Sequence, residues 1–322
     1  GGIPQEVPML TLSRICGSGV QSIVTGAQMI MLGEASTVVS GGMENLSQAP
    51  HIMRGGREGW KLGRSPKVED YMMTNLQDMT CGLFMAQTSD ELCNRKGVTR
   101  EEIDAYAARS HALTTASIEN DVFEQEIIPV TIKGRRGDTI VTHKDEDHVV
   151  KNTTAESLAK LPTAFGPESF VTAGNASGVV DGAAAVVIKS ASQAKADGDE
   201  PLARIVSWGI VGLEPAIMAY GPVPSSLKAL EKAGLTAGDI DRWEINEAFA
   251  GQAVACIKDL EIDVERVNVN GGAVGLGHPL AATGTRLVLT LAYELKRSGG
   301  QYGVATACIG GGQGIAMVIE AL

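Results

Sequence analysis

The sequence predicts an α/β fold of two related halves with a loop-rich insertion. Three observations carry that expectation. One passage of strand, glycine turn, helix, strand and second glycine turn occurs twice, once near each end of the chain. Apolar residues make up 44% of the sequence but aromatics only 4%, so aliphatic side chains must fill the core. Glycine occupies 39 of 322 positions, well above the usual ~7%, which points to closely layered backbones and glycine-built turns. A chain of this length corresponds to about two domains with a large buried core.

The first passage has a strand-like run over residues 7–15, then Cys16-Gly17-Ser18-Gly19, a helical pattern over 20–32, Gly33, a β-rich run over 35–39 and Gly41-Gly42. The second repeats that order. It has a strand over 266–269, Gly271-Gly272, Gly275-Leu276-Gly277-His278-Pro279, an apolar helix over 283–296, Gly299-Gly300, a strand over 303–307 and Cys308-Ile309-Gly310-Gly311-Gly312. Units of this kind build parallel sheet with right-handed crossovers, and a pseudo-twofold between two copies turns their equivalent loops toward one site. Between them, residues 49–164 read as an inserted subdomain. It holds a basic stretch (Arg54, Arg57, Lys61, Arg64, Lys67), a helix opened by the capping box Thr99-Arg100-Glu101-Glu102 and a β region over 127–141 broken by Lys133-Gly134-Arg135-Arg136. A strand over 183–188 returns to the first half, giving that half residues 1–48 with 165–200. The second half, 201–322, adds a helix over 223–233, a strand end at Trp243-Glu244-Ile245 and a helix opened by Asn246-Glu247-Ala248-Phe249.

A net charge of −11 without a long basic run disfavours nucleic acid and anionic membrane as partners, while a small anionic ligand on a local basic patch remains compatible. The long uncharged stretches are broken by Gln, Ser, Thr and Gly, so no transmembrane helix and no signal peptide are expected. Five cysteines without a CxxC pair argue against a disulfide scaffold or a zinc site and for a reducing, cytoplasmic compartment. The histidines form no HExxH, and no metal is expected. The sequence opens on Gly1-Gly2 without an initiator methionine, so an N-terminal piece is expected to be absent and an organellar form stays open.

Cys16 sits where a strand turns into a helix. There the helix N-terminus would favour a thiolate, and the flanking glycines would clear room for a substrate. His278 occupies the equivalent loop of the second passage, so a cysteine nucleophile with a histidine base is the simplest chemistry that results. Cys308 ends the last strand pair and brings a second thiol as a separate acid/base, while the backbone N–H of Gly310 is a donor for a carbonyl oxyanion. Asn246 opens a helix directly after a strand; as a bare N-cap it needs no further role.

The segments Cys16-Gly17-Ser18-Gly19, Val171 to Gly178, Asn246-Glu247-Ala248-Phe249, Gly275 to Pro279 and Cys308 to Gly312 resemble, in order and spacing, the signature motifs of thiolases. The likeness spans essentially the whole chain. It implies a thiolase-like layered αβαβα fold and an acyl-CoA C-acyltransferase that cleaves 3-ketoacyl-CoA or condenses acetyl-CoA, within fatty acid metabolism. It further implies that Cys16 accepts the acyl group, His278 activates it, and Cys308 handles the proton on the acetyl methyl carbon. Asn246 would hold a water that forms one oxyanion hole with His278, and the amides of Cys16 and Gly310 would form the other. Ser177, Met85 and Phe249 would contact coenzyme A, which enters as substrate with no permanently bound cofactor. A homodimer or homotetramer is expected. Lys133, Arg135, Arg136 and the Arg54 to Lys67 stretch are the basic residues available to its phosphates.

Three departures from the family pattern stand out. The family's usual βαβα segment ahead of the cysteine motif is expected to be missing, because the chain starts close to that motif. Phe84 stands where many biosynthetic members have histidine, and Ala281-Ala282 replaces a glycine-containing pair. Rival readings are a ketoacyl synthase-type condensing enzyme, which would want a second histidine in place of the Asn246 motif and no Cys308, and a non-catalytic acyl-CoA-binding relative. An NAD-dependent dehydrogenase fails because neither glycine turn completes GxGxxG.

Overall fold

The computed structural model describes residues 2–133, 140–143 and 148–322. A 3-10 turn at Ile15–Gly17 leads into α1 (Ser18–Met31) and β1 (Thr37–Glu44). The following segment holds β2 (His51–Met53), β3 (Val68–Asp70), α2 (Tyr71–Asn75), α3 (Met85–Lys96), α4 (Arg100–Glu119), β4 (Val130–Lys133), β5 (Ile140–His143) and α5 (Ala155–Leu158). Then come β6 (Gly182–Lys189), α6 (Ala191–Asp197), β7 (Ala203–Gly212), α7 (Pro222–Ala233) and β8 (Arg242–Ile245). The chain finishes with α8 (Ala250–Leu260), α9 (Ala273–Leu276), α10 (Leu280–Ser298), β9 (Tyr302–Ile309) and β10 (Gln313–Ala321). Local signals explain several boundaries. The Glu102 amide donates to Thr99 Oγ1 and the Thr99 amide to the Glu102 carboxylate, closing the capping box of α4. Pro222 opens α7, and Gly234 and Gly299 end α7 and α10 with φ of 70° and 69°.

β1 and β6 pair antiparallel, which brings residues far apart in sequence side by side. The second sheet runs β7-β10-β9-β8, and its β8–β9 pair alone is parallel. The expectation of a parallel sheet is therefore corrected. A tight glycine turn joins β9 to β10 and forces a hairpin, whereas the β8 to β9 connection is long enough for a crossover because it carries three helices.

Two predicted strands are absent. Residues 7–14 pair with no strand among the described residues and leave Val7, Met9 and Leu10 exposed, so the β-prone side chains have no ladder to join. Over 266–269 the chain makes a single bridge, Val267 to Trp243, before Asn268 at φ 46° turns it away.

The layers follow from which faces are apolar. Helices α1 and α10 lie between the two sheets and touch both. Val20, Ile23 and Val24 of α1 and Leu287, Leu291 and Leu295 of α10 pack with Ile309, Ile315 and Met317 of the larger sheet. On the opposite face of that sheet, α7 and α8 bury Val223, Leu230, Ala253 and Ile257 against Trp243, Ile245, Ala316 and Val318. Each valine, leucine, isoleucine or methionine among them contributes about 1.5–3 kcal/mol when fully buried. Two glycines set the spacing of the middle layer: a Cβ on Gly19 would run into the Thr285 amide, and one on Gly284 into the Val20 amide. The near-contact brings the N-terminal end of α1 beside that of α10, and with them the loops that carry Cys16 and His278. Among the described residues no helix is long and apolar enough to cross a membrane.

Candidate active site

Cys16 lies in the 3-10 turn just ahead of α1. Its neighbour Ile15 has φ 48°, an uncommon conformation for a β-branched residue. The turn is held by the Arg14 amide donating to Ser18 Oγ at 2.9 Å and by the Ser18 hydroxyl donating to Ile15 O at 2.7 Å. Burial pushes the Cys16 thiol up to about 12, and the backbone amides of Gly310 and of Cys16 itself only partly offset it. The expectation of a ready-made thiolate at a helix N-terminus is thus overturned, because the loss of water outweighs the amide dipoles. Cys16 is a buried, neutral thiol beside the backbone amide of Gly310.

His278 is 5% exposed and held at both ring nitrogens. Nδ1 lies 2.6 Å from Thr283 Oγ1, and the Thr283 hydroxyl donates to Pro279 O at 3.1 Å. Thr283 has one hydroxyl hydrogen, so its oxygen accepts from His278 Nδ1–H and the Nε2 lone pair is left as the basic position. Asn246 Nδ2 approaches that Nε2 at 3.3 Å. Burial, and then the positive Arg286, lower the imidazole to about 3, so the ring is neutral at pH 7. Asn246 is fully buried, its amide extends the β8–β9 pairing by donating to Thr306 O, and its Oδ1 has no partner among the described residues. A buried amide oxygen with no partner is uncommon, and a bound water or substrate group would satisfy it.

Cys308 is 1% exposed at the end of β9. Burial first, and then neighbouring Cys16 and Cys256, raise its thiol well above the ordinary range. It shares an apolar cluster with Met218 and Ala248, against which Met85 and Phe249 pack. Met85 also reaches the loop after Cys308, where a Cβ on Gly310 would lie 3.2 Å from its sulfur. Ser177 donates from both its amide and its hydroxyl to Ala248 O at 3.1 Å, and Gly178 O accepts the His278 amide at 3.1 Å. The structure thus gathers Cys16, Cys308 and Gly310 with Met85 and Phe249, and Asn246 with His278. Ser177 joins the second group to the Asn246 segment.

The basic residues behave differently. Arg54 and Lys67 both pair with Glu69, at 2.8 and 3.4 Å, on an exposed surface. Arg135 and Arg136 fall outside the described residues. Phe84 caps α3 and stacks at a tilt on Phe165, ring centroids 5.5 Å apart.

Two carboxylates are not singled out as site residues by the sequence. Asp78 accepts from the amide of Gly311, the residue after Gly310. Glu247, next to Asn246, accepts from Tyr106, Ser110, Asn268 and the Val274 amide. Every one of these bonds except the Val274 and Asn268 contacts reaches across more than a hundred residues, so no local pattern could have disclosed them.

Comparison with known proteins agrees along the full chain. Residues 1–192 match the thiolase N-terminal domain and residues 199–321 the thiolase C-terminal domain. Human mitochondrial 3-ketoacyl-CoA thiolase is 47% identical over 319 residues, covering 99% of this chain and 80% of that protein. An acetyl-CoA acetyltransferase of Syntrophomonas wolfei is 43% identical over 325 residues, covering 100% of this chain and 81% of that protein. Among solved structures, human mitochondrial 3-ketoacyl-CoA thiolase in complex with CoA superposes with a TM-score of 0.95 at 46% identity, covering 100% of this chain and 80% of that one.

Proposed function

The chain belongs to the thiolase family, and on that premise we propose that it transfers acyl groups to and from coenzyme A through an acyl-enzyme on Cys16. It is an acyltransferase that cleaves 3-ketoacyl-CoA by thiolysis and, in reverse, condenses acetyl-CoA. In cleavage, Cys16 Sγ attacks the keto carbon and its proton passes to His278 Nε2. The keto oxygen gains negative charge and faces the amides of Cys16 and Gly310. Collapse breaks the carbon–carbon bond and leaves the acyl group on Cys16. The departing electron pair becomes the enolate of acetyl-CoA, whose thioester oxygen is stabilised by His278 and by a water held on Asn246. The Cys308 thiol protonates the methyl carbon. Cys308, now a thiolate, takes the proton of an incoming coenzyme A, whose sulfur attacks the acyl group. Cys16 leaves and recovers its proton from His278.

The gathering of Cys308, Met85, Phe249 and the Gly310 turn around one buried cluster, with His278 Nε2 3.3 Å from the Asn246 side-chain amide, is the observation that supports this reading best. Both cysteines are held as neutral thiols, which suits a mechanism that moves protons in both directions. Ser177, Met85 and Phe249 are proposed to contact the pantetheine arm. Phe84 in place of a histidine weakens an assignment to acetoacetyl-CoA alone. A homodimer or homotetramer fits the exposed Val7, Met9 and Leu10, and free thiols at all five cysteines suit a reducing compartment such as the cytoplasm. Thiolysis of acetoacetyl-CoA, followed as loss of its absorbance when coenzyme A is added, tests the activity. Mass spectrometry after incubation with acetyl-CoA tests the acyl-enzyme: one acetyl group on Cys16 is expected, and folded protein with neither signal would sink the reading.

A further inference from the structure

The loop that supplies the second oxyanion donor is Gly310-Gly311-Gly312, with φ of 81° at Gly311 and 74° at Gly312. No side chain stiffens such a loop, and a peptide unit between glycines turns over easily. A donor that contributes to catalysis must nevertheless be fixed before the charge develops. Two side chains fix it here. The Gly311 N–H donates to Asp78 Oδ2 at 3.0 Å, and the Gly310 carbonyl accepts from Gln313 Nε2 at 3.4 Å. Those two atoms are the opposite ends of one peptide unit, so the plane that follows Gly310 is held from both sides and the Gly310 N–H is left facing Cys16.

Asp78 is itself rigidly mounted. It sits 5% exposed on a small hairpin between α2 and α3. Its Oδ1 accepts from the Thr80 and Cys81 amides at 2.7 and 3.1 Å. Its own amide donates to Leu83 O at 2.8 Å, and its carbonyl accepts from the Gly82 amide at 2.8 Å. Burial alone would raise this carboxyl, but the three amides and the Cys81 thiol outweigh it and hold it below the ordinary carboxylate range. The same hairpin ends at Met85, which packs against Gly310. Gln313 is steadied in turn by Arg14, whose Nη1 donates to Gln313 Oε1 at 2.7 Å. Arg14 lies two residues before Cys16, so the nucleophile's turn and the oxyanion loop share one tether.

We propose that Asp78 is a positioning residue of the acyl-transfer site: with Gln313 it clamps the Gly310–Gly311 peptide so that the Gly310 amide points at the reacting carbonyl. The inference rests on the proposed role of Gly310 as an oxyanion donor. Charge and geometry predict opposite effects. A carboxylate behind an oxyanion loop disfavours negative charge in front of it, so an electrostatic role alone would make its removal speed the reaction, whereas a clamp makes removal slow it.

The test is Asp78→Asn in the full chain. Asparagine keeps one acceptor oxygen for the Thr80 and Cys81 amides and places an NH2 group where Gly311 needs an acceptor. The clamp predicts that kcat for thiolysis, and the rate of Cys16 acetylation by acetyl-CoA, fall roughly 10- to 100-fold. KM should stay within about threefold and the thermal midpoint within a few degrees. Parental kcat, faster turnover, or a loss of kcat matched by a loss of thermal midpoint would each overturn it. Should D78N not accumulate as folded protein, Gln313→Met releases the other end of the same peptide without touching the hairpin. It must then show the same split of kcat from KM, and parental kcat in that variant overturns the clamp. The parental protein separates the two levels of the argument. If it is not acetylated at Cys16 the proposed function fails, and if it is acetylated while the variants match it only the clamp fails.

Discussion

The carboxylate of Glu247 receives the Val274 amide at 3.0 Å, and that bond ties the strand end carrying Asn246 to the segment leading to His278. The other three donors are the Tyr106 hydroxyl at 2.9 Å, the Ser110 hydroxyl at 2.6 Å and Asn268 Nδ2 at 2.7 Å. Glu247 is fully buried, and a Cβ on Gly272 would run into its carboxylate, so the chain passes directly over the charge. Four donors around one carboxylate replace the water it lost. Glu247→Gln leaves an NH2 group facing two of them. We expect a loss of about 2–4 kcal/mol in urea unfolding and a roughly 10-fold drop in kcat as Asn246 and His278 lose register. Unchanged unfolding would mean that the four bonds add nothing net.

The two thiols should separate cleanly by function. Cys16→Ser abolishes the acetylated species in mass spectra after incubation with acetyl-CoA. Cys308→Ser still becomes acetylated, more slowly because departing coenzyme A loses its proton donor, but neither condenses nor completes thiolysis, because no thiol exchanges the proton of the methyl carbon. Condensation by Cys308→Ser at the parental rate would contradict a distinct role for the second sulfur.

Much of this site was legible because each proposed catalytic residue stands beside the glycine or proline turn that its backbone needs: Cys16 before Gly17, His278 between Gly277 and Pro279, Cys308 just ahead of the Gly310 to Gly312 turn. Helices α1, α4, α7 and α10 were legible from apolar spacing and caps. What escaped was whatever depends on distant partners. The run over 7–15 has strand propensity but no strand beside it, and propensity alone makes no ladder. The direction of β10 follows from its hairpin with β9, which a search for crossover units overlooks. Asp78 and Glu247 look like ordinary polar residues until the fold carries the Gly310 loop and α4 to them. The depressed basicity of His278 depends on burial and on Arg286 eight positions along the chain and one helical face away, and neither can be read from Gly275 to Pro279.

Backbone proximity at Gly42 gives a stability prediction. Gly42 lies in β1 opposite Ala184, and a Cβ there would sit inside the Ala281 carbonyl at the start of α10. That carbonyl belongs to a helix held by the α1 contact and cannot swing aside, so the added methyl must push the sheet and helix apart. Gly42→Ala should cost about 1–3 kcal/mol, read as a lower urea midpoint. Gly33→Ala is the comparison for crowding, because nothing lies within 4 Å of a Cβ at Gly33 and its penalty comes from φ of 75° alone. If both variants unfold together, crowding at Ala281 is not the cause of the Gly42 effect.

The buried imidazole should also leave its mark on acid stability. His278 has its pKa lowered to about 3 in the folded protein, by burial first and then by Arg286, against an ordinary value of 6.5. Between those two values the unfolded chain binds a proton at this position and the folded one does not, so stability rises with pH across that window and is lost as pH falls through it. At about 1.36 kcal/mol per pH unit, lowering the pH from 6.5 to 4 removes about 3 kcal/mol through this one residue. His278→Asn has no such proton to bind. Its unfolding free energy should therefore fall by about 3 kcal/mol less than the parental value over the same range, measured by urea titration at half-unit pH steps with all other groups common to both proteins. Parallel curves for the two proteins would mean that His278 takes up its proton in the folded state as readily as in the unfolded chain, and the neutral, buried base assigned to it would be wrong.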